Sequence, residues 1–416
     1  MIKRLRGMKD ILPEEVLLWQ YIEKAAKDLF ALFGYGEIRT PILEEGSLFT
    51  KSIGESTDIV QKEMYAFKDK GGRHVSMRPE GTAPIVRAYI ENNLDKAESL
   101  TKLYYIGPMF RSERPQAGRQ RQFSQIGVEA IGSDSPYIDA EVIALIKLYL
   151  ERIGLSGYTI KINTLGCSKD KTNIRKALQK FLKDKTNLLC KDCKARYKKN
   201  ILRIFDCKED GCKAVLRTAP KIIDNICSDC KDHFDNVKNA LDALKVPYSV
   251  DPYIVRGLDY YTRTAFEVTH PNLGAQDAIG AGGRYDNLVR DTGGPKAGAC
   301  GFALGQDRLI LALGKEGSAL PALGVYIAVL GEEARREGFR LCNELRSNGV
   351  SSQMDYQERS LKAQMRQANK KGSKYVAIIG EDELQKGIIV LRDMSNGTQK
   401  EIKKDSFVEE AKKALC

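Results

Sequence analysis

Residues 104–129 read YYIGPMFRSERPQAGRQRQFSQIGVE. Two apolar-rich segments, 103–110 and 123–131, flank a polar run with Arg111, Glu113, Arg114, Arg119 and Arg121, the pattern of a hairpin with a long basic loop. Arginine offers a planar fork that meets phosphate or carboxylate bidentately. Glu113, two residues after Arg111, shares its face of the strand. A cation beside an acceptor suits a nucleotide, with phosphate to one and a base amine to the other. An exposed strand pair with a solvated loop has the same residues, so the rest of the chain must decide.

At 416 residues the chain has room for two to four domains at roughly 150 residues each. Its 42% hydrophobic and 29% charged content is that of a globular protein with sizeable cores. The formal net charge of +12 points to an anionic partner, nucleic acid first. The basic N-terminus has no apolar run behind it, and no stretch reaches the ~18 apolar residues of a spanning helix. We therefore expect a cytoplasmic protein without membrane partners. Ten cysteines then argue for thiols or metal ligands before disulfides.

Toward the N-terminus, Leu18, Ile22, Ala25, Leu29 and Leu32 form a helical stripe over 13–33, with Pro13 in the first turn and Gly34 as the stop. A strand is expected over 37–43, its Pro41 at an edge or bulge. Residues 64–69 and 74–78 flank Lys70-Gly-Gly-Arg73, a hairpin turn. In Arg78-Pro-Glu-Gly-Thr-Ala83, Thr82 is positioned to cap the helix that follows. Glu80 with Thr82 offers a carboxylate and a hydroxyl for an ammonium group.

Past the central hairpin, Ser135-Pro136 opens a helix that ends at Gly154. Residues 157–246 then read as an inserted, Lys-rich and Cys-rich domain facing an anion. It holds Cys190-x-x-Cys193, Cys207 with Cys212, and Cys227-x-x-Cys230. Paired C-x-x-C knuckles can hold one structural Zn²⁺, although their separation exceeds the usual range; reduced cysteines without metal are the alternative.

The chain returns with Val255-Arg-Gly-Leu-Asp-Tyr-Tyr261, a strand, and Gly280-Ala-Gly-Gly-Arg-Tyr-Asp286. That glycine run fits neither G-x-G-x-x-G nor the P-loop. Cys300 to Leu311 places an apolar strand before a helix carrying Arg308. Residues 317–321 read as a linker, and strands alternating with helices beyond it as a compact α/β domain.

Phe110-Arg-x-Glu113, the basic loop and Arg121-Gln-Phe-x-Gln-x-Gly-x-Glu129 together resemble motif 2 of class II aminoacyl-tRNA synthetases, in the histidyl-tRNA synthetase form. RPEGTA, the two heptads, a motif 1-like helix and Pro-bearing strand, and a motif 3-like strand and helix follow in family order over essentially the whole chain. Two positions depart: Asp307 where Glu is usual, and Gly280 where Cys often stands.

The resemblance implies an α/β (α+β) fold, with a class II antiparallel-sheet catalytic core (1–156 and 247–316), an insertion domain (157–246) and a C-terminal α/β anticodon-binding domain (322–416). It implies a homodimeric histidine-tRNA ligase using ATP and Mg²⁺. Arg111 and Arg256 would face the α-phosphate, and Arg308 with Arg119 or Arg121 the γ end. Glu113 would accept from the adenine amine, with Phe123 stacked on the ring. Glu80, Thr82, Gln125, Glu129, Tyr260, Tyr261 and Tyr285 would hold histidine. Arg114 and Gln116 would meet the acceptor end of the tRNA, and the insert its stem. His74, His233 and His270 lie outside the motifs and read as structural. The alternatives are the regulatory paralogue of ATP phosphoribosyltransferase, which lacks the C-terminal domain, and a non-catalytic RNA-binding protein.

Overall fold

Tyr104 and Tyr105, adjacent in a strand, must point to opposite faces, and that parity organises the larger part of the molecule. The computed structural model describes residues 2–55, 57–274, 276–314 and 322–415. It divides into two units, Met1–Ser318 and Ala319–Cys416.

In the first unit the strands Thr101–Phe110 and Gln122–Ile131 form the expected hairpin, Thr101 opposite Ile131 and Phe110 opposite Gln122. It lies in an eight-stranded sheet whose order continues through Ala299–Gly305, Ala278–Arg284, Thr262–Thr269, Thr159–Thr164 and the edge strand Ser249–Val250. The pairing is antiparallel except at the two edges, where Gly36–Glu37 and Ser249–Val250 run parallel to their neighbours.

Helices cover one face. Pro13–Leu32 buries Leu18, Ile22, Ala25, Leu29 and Phe30, and the Phe30 ring meets Tyr104 at 5.5 Å and Phe302 at 6.2 Å. Pro136–Arg152, capped by the Ser135 hydroxyl, and Ser228–Ala243 complete this layer around Tyr104, Ile126 and Val128. The other face carries Tyr105, Gln125, Gly127 and Glu129, which share one parity across the hairpin. It is left for the site.

Two expectations change. The strand expected over 37–43 splits into Gly36–Glu37, in the large sheet, and Leu43–Glu45, in a small one where His74–Met77 lies between it and Ala66–Lys68. Pro41, which has no N–H for a ladder, lies in the break. The insertion expected over 157–246 is narrower, because both its ends belong to the core. Thr159–Thr164 pairs with Thr262–Thr269, and Phe234, Val237 and Leu241 pack into the helical layer. Between them lies a lobe of short helices, buried around Leu178, Cys193, Ile204 and Leu216.

The second unit is a five-stranded sheet in the order Ser352–Met354, Val325–Val329, Tyr375–Ile379, Ile388–Asp393 and Gln399–Lys403. Glu332–Ser347, Leu361–Lys370 and Phe407–Leu415 supply its main helices. The linker expected over 317–321 lies outside the described residues.

Candidate active site

Arg78-Pro-Glu-Gly-Thr-Ala83 leads from the small sheet into the helix Thr82–Glu91. The carboxylate of Glu80 accepts from the N–H groups of Thr82 at 2.7 Å and Ala83 at 2.9 Å. Glu80, not Thr82, therefore satisfies the first helical donors, where a negative charge also suits the helix dipole. The Thr82 hydroxyl is freed for another partner and donates to Glu129 Oε1 at 2.6 Å.

Glu129 is 1% exposed. Its other oxygen accepts from the hydroxyl of Tyr285. Burial pushes this carboxyl up to about 8, against the hydrogen bonds from Thr82 and Tyr285. Burial also raises Glu80. The space for the Glu129 carboxylate comes from the neighbouring strand, where a Cβ on Gly301 would stand 1.9 Å from Glu129 Oε2.

Tyr260 and Tyr261 close the pocket. Their ring centroids are 4.7 Å apart, and Tyr260 meets Tyr285 edge-on at 5.7 Å. Gln125 Oε1 and the Tyr105 hydroxyl are buried in this region without protein partners. Unpaired buried polar atoms are costly unless a ligand satisfies them.

The cationic residues lie around the motif 2 loop and the loop at 256–261. Arg111 donates through Nε to the Pro79 carbonyl at 2.9 Å, and its guanidinium lies 5.3 Å from the Phe123 ring. Glu113 pairs with Arg119 at 3.0 Å and lies 3.9 Å from Arg111. Arg121 Nε donates to the Glu113 carbonyl, and the Gly7 carbonyl accepts the N–H groups of Arg121 and Gln122. Arg256 pairs with Glu267 at 3.4 Å and lies 5.3 Å from the Tyr261 ring, its buried Nε unpaired. Arg114 and Gln116 are exposed. Arg308 donates to the carbonyls of Ala278, Gly118 and Gln276. It thus ties the loop to the sheet instead of projecting free.

Sequence reasoning missed four supports. Tyr105 fills the space between Gly81 and Gly127. Gly301 makes room for Glu129. Lys171 is partly buried and donates to the carbonyls of Asp259 and Tyr261, with desolvation pulling its ammonium down to about 8. Asp139 is fully buried and binds Arg284 Nε at 3.0 Å and His233 at 2.8 Å. Arg284 precedes Tyr285 and also donates to the Ser133 and Ser135 carbonyls. The signal for Tyr105 was its parity with Gln125 and Glu129.

None of the three histidines enters the pocket. His233 packs on Asp139. His270 donates to the Ser156 carbonyl at 2.9 Å while Nδ1 accepts from Asn272 N–H, which fixes a neutral tautomer. His74 is exposed.

The cysteines assort differently from the expected pairing of knuckles. Cys190, Cys193, Cys207 and Cys212 present sulfurs all within 4.8 Å of one another, whereas Cys227 and Cys230 join Cys167 and Asp170. The Sγ atoms of Cys190 and Cys207 are 3.8 Å apart. Zn–S bonds of about 2.3 Å give a tetrahedral edge of roughly that length. Backbone N–H groups of Cys193 and Cys190 point at Cys190 Sγ and Cys212 Sγ. The first of these bonds lowers the Cys190 thiol.

Residues 7–309 match the family model described as Histidyl-tRNA synthetase, and 324–414 the one described as Anticodon binding domain. A histidine–tRNA ligase of Thermosipho melanesiensis is 49% identical over 411 residues, 98% of each chain. The solved apo histidyl-tRNA synthetase of S. aureus superposes with a TM-score of 0.81 at 39% identity, covering 99% of this chain and 100% of that one. A solved Bacillus halodurans chain, called an ATP phosphoribosyltransferase regulatory subunit/histidyl-tRNA synthetase, reaches 0.65 at 23% identity, covering 91% and 98%, and shares the fold alone.

Proposed function

The chain belongs to the histidyl-tRNA synthetase family, and from that premise we propose how its residues carry out ATP-dependent joining of histidine to tRNA. The observation that carries the assignment is Glu129. A buried carboxyl held by the Thr82 and Tyr285 hydroxyls, on the same sheet face as the unpaired Gln125 Oε1, is a polar pocket that rejects any amino acid unable to complete its hydrogen bonds. Glu129 with Tyr261 would meet the imidazole nitrogens, while Gln125, Glu80 and Thr82 would hold the α-ammonium end and Tyr260 and Tyr285 wall the pocket.

Activation is attack by the histidine carboxylate on the α-phosphate of ATP, forming the adenylate and expelling pyrophosphate. Two anions must be aligned and the developing phosphoryl charge offset. Arg111 and Arg256 are the proposed counter-charges, permanently protonated at working pH. Phe123, beneath Arg111, would take the adenine ring and Glu113 its amine. Arg119 or Arg121 would approach the outer phosphates; Arg308 would join them only by releasing its carbonyls. Mg²⁺ shields the outer phosphates when bound. Glu113, with Glu63 near it, offers the carboxylates that would hold the ion. The histidine carbonyl is then transferred to the terminal ribose hydroxyl of the tRNA, releasing AMP.

For the tRNA, Arg114 and Gln116 are exposed toward the acceptor end and the Lys-rich lobe toward the stem. In the second unit, Lys362, Arg366, Asn369 and Arg392 line a concavity with Met365 and Met394 that suits anticodon bases. Exposed Leu43 and Phe67, which share one face of the small sheet, support a homodimer through that face. The four-thiol set at Cys190, Cys193, Cys207 and Cys212 fits a closed structural Zn²⁺ site with no open position for catalysis. A cytoplasmic setting suits both the thiols and the reaction.

The regulatory reading is disfavoured by the matched anticodon domain and the full-length ligase relatives. Histidine-dependent exchange of labelled pyrophosphate into ATP without tRNA tests the assignment, other amino acids serving as controls. Exchange with histidine alone is expected. No exchange in folded chain that still binds histidine would overturn it.

A further inference from the structure

Three short segments repeat one device, a helix N-cap and its third residue supplying two metal-ligand atoms to the same side. Cys190 and Cys193 do so on Lys191–Lys199, Cys227 and Cys230 on Ser228–Ala243, and Cys167 and Asp170 on Ser168–Leu182. The first pair closes with Cys207 and Cys212. The other two face each other, their three sulfurs and a carboxylate oxygen all within 4.8 Å. Cys230 and Asp170 are buried, while Cys167 and Cys227 are partly so.

Asp170 accepts from the N–H of Cys167 at 3.1 Å and of Cys227 at 2.9 Å, which fixes it between the two knuckles. It thus meets thiols and backbone donors rather than a Lys or Arg. A carboxylate fixed there by two backbone donors, the first of them closing a capping box, keeps lone pairs free for a cation. Three thiolates and one carboxylate oxygen in a closed set match the ligand types and number of a structural zinc.

We propose that Cys167, Asp170, Cys227 and Cys230 bind a second zinc ion. The site joins the point where the chain leaves the core, just after Thr159–Thr164, to the point where it returns on Ser228–Ala243. The Cys-rich lobe thus stands on a metal-closed stem. That stem also carries Lys171, one residue beyond Asp170, which holds the carbonyls of Asp259 and Tyr261 in the histidine loop. The inference does not depend on the four-thiol site, and the two separate by stoichiometry.

Zinc content of the purified full-length chain, measured by mass spectrometry of the metal, should be two per chain. It should fall to one in Cys227→Ser/Cys230→Ser and to one in Cys190→Ser/Cys193→Ser. A single zinc that survives the first double change and disappears in the second would overturn the proposal, as would a chain with no zinc. A single zinc with the opposite pattern would uphold this site and remove the four-thiol one. If the variants do not fold, cobalt substitution of the unaltered chain decides. Two cobalt ions per chain, both with thiolate charge-transfer absorption, are expected; one per chain with the charge-transfer intensity of four thiolates overturns the proposal, and one with that of three upholds it.

Discussion

Glu129 sits at the meeting of three strands' worth of constraint, and its protonation is coupled to folding. Its carboxyl is raised to about 8 by burial, whereas an unfolded chain releases that proton near the ordinary carboxylate value. Between those limits the folded state binds the extra proton. Stability from this group is therefore full below about pH 4 and is lost as pH rises toward 8, by at most about 1.4 kcal/mol per pH unit. Glu80 shifts in the same direction. Urea midpoints measured from pH 5 to 8 should fall with pH in the unaltered chain and fall less in Glu129→Gln. Equal slopes would mean that Glu129 is ionised in the pocket. A second residue is proposed to carry chemistry instead of stability. If Arg256 is a counter-charge at the phosphoryl centre, Arg256→Ala should lower pyrophosphate exchange on the order of 10²- to 10³-fold while tRNA binding changes little. Unchanged exchange would remove Arg256 from the catalytic group.

Among the elements, those with their own periodicity are legible in the sequence. The helix Pro13–Leu32 and the central hairpin follow from local pattern alone, and the hairpin's parity already places Gln125 and Glu129 together. What was not legible depended on partners remote in sequence. Glu80 and Thr82 exchanged roles because Glu129, far along the chain, takes the hydroxyl. The knuckles re-paired because Cys167-Ser-Lys-Asp170 has the same spacing but ends in a carboxylate, so a search for cysteine pairs passes over it. The strand at 37–43 broke because Pro41 cannot donate on either side. The helix Ser168–Leu182 illustrates the functional weight of such non-local contacts. Its Lys171 positions the loop that bears Tyr261 and donates to two carbonyls there. Lys171→Met keeps much of the volume but leaves those acceptors unpaired, a loss of about 1–2 kcal/mol. The KM for histidine in the exchange assay should rise ~5- to 30-fold with kcat nearly unchanged. An equal fall in kcat with no change in KM would show that the helix serves overall folding and not the pocket.

At the scale of the whole molecule the two half-reactions differ in how much charge they engage. Adenylate formation takes place in a partly buried pocket on small substrates, where screening by salt is weak. Transfer requires a polyanion to be held by a chain of net charge +12, with its Lys-rich lobe, its motif 2 loop and its second unit all offering cations. Each phosphate neutralised releases condensed counterions, so affinity for tRNA falls as a power of salt concentration. Three or four such contacts predict that the KM for tRNA rises on the order of ten- to a hundredfold between 50 and 200 mM salt. Histidine-dependent pyrophosphate exchange over the same range should change less than about twofold. Measuring both in one preparation separates the surfaces from the pocket. If both reactions weakened in parallel, the cations that grip tRNA would also be shaping the adenylation site. If neither weakened, the positive charge would serve solubility, and recognition of the tRNA would rest on base contacts and shape.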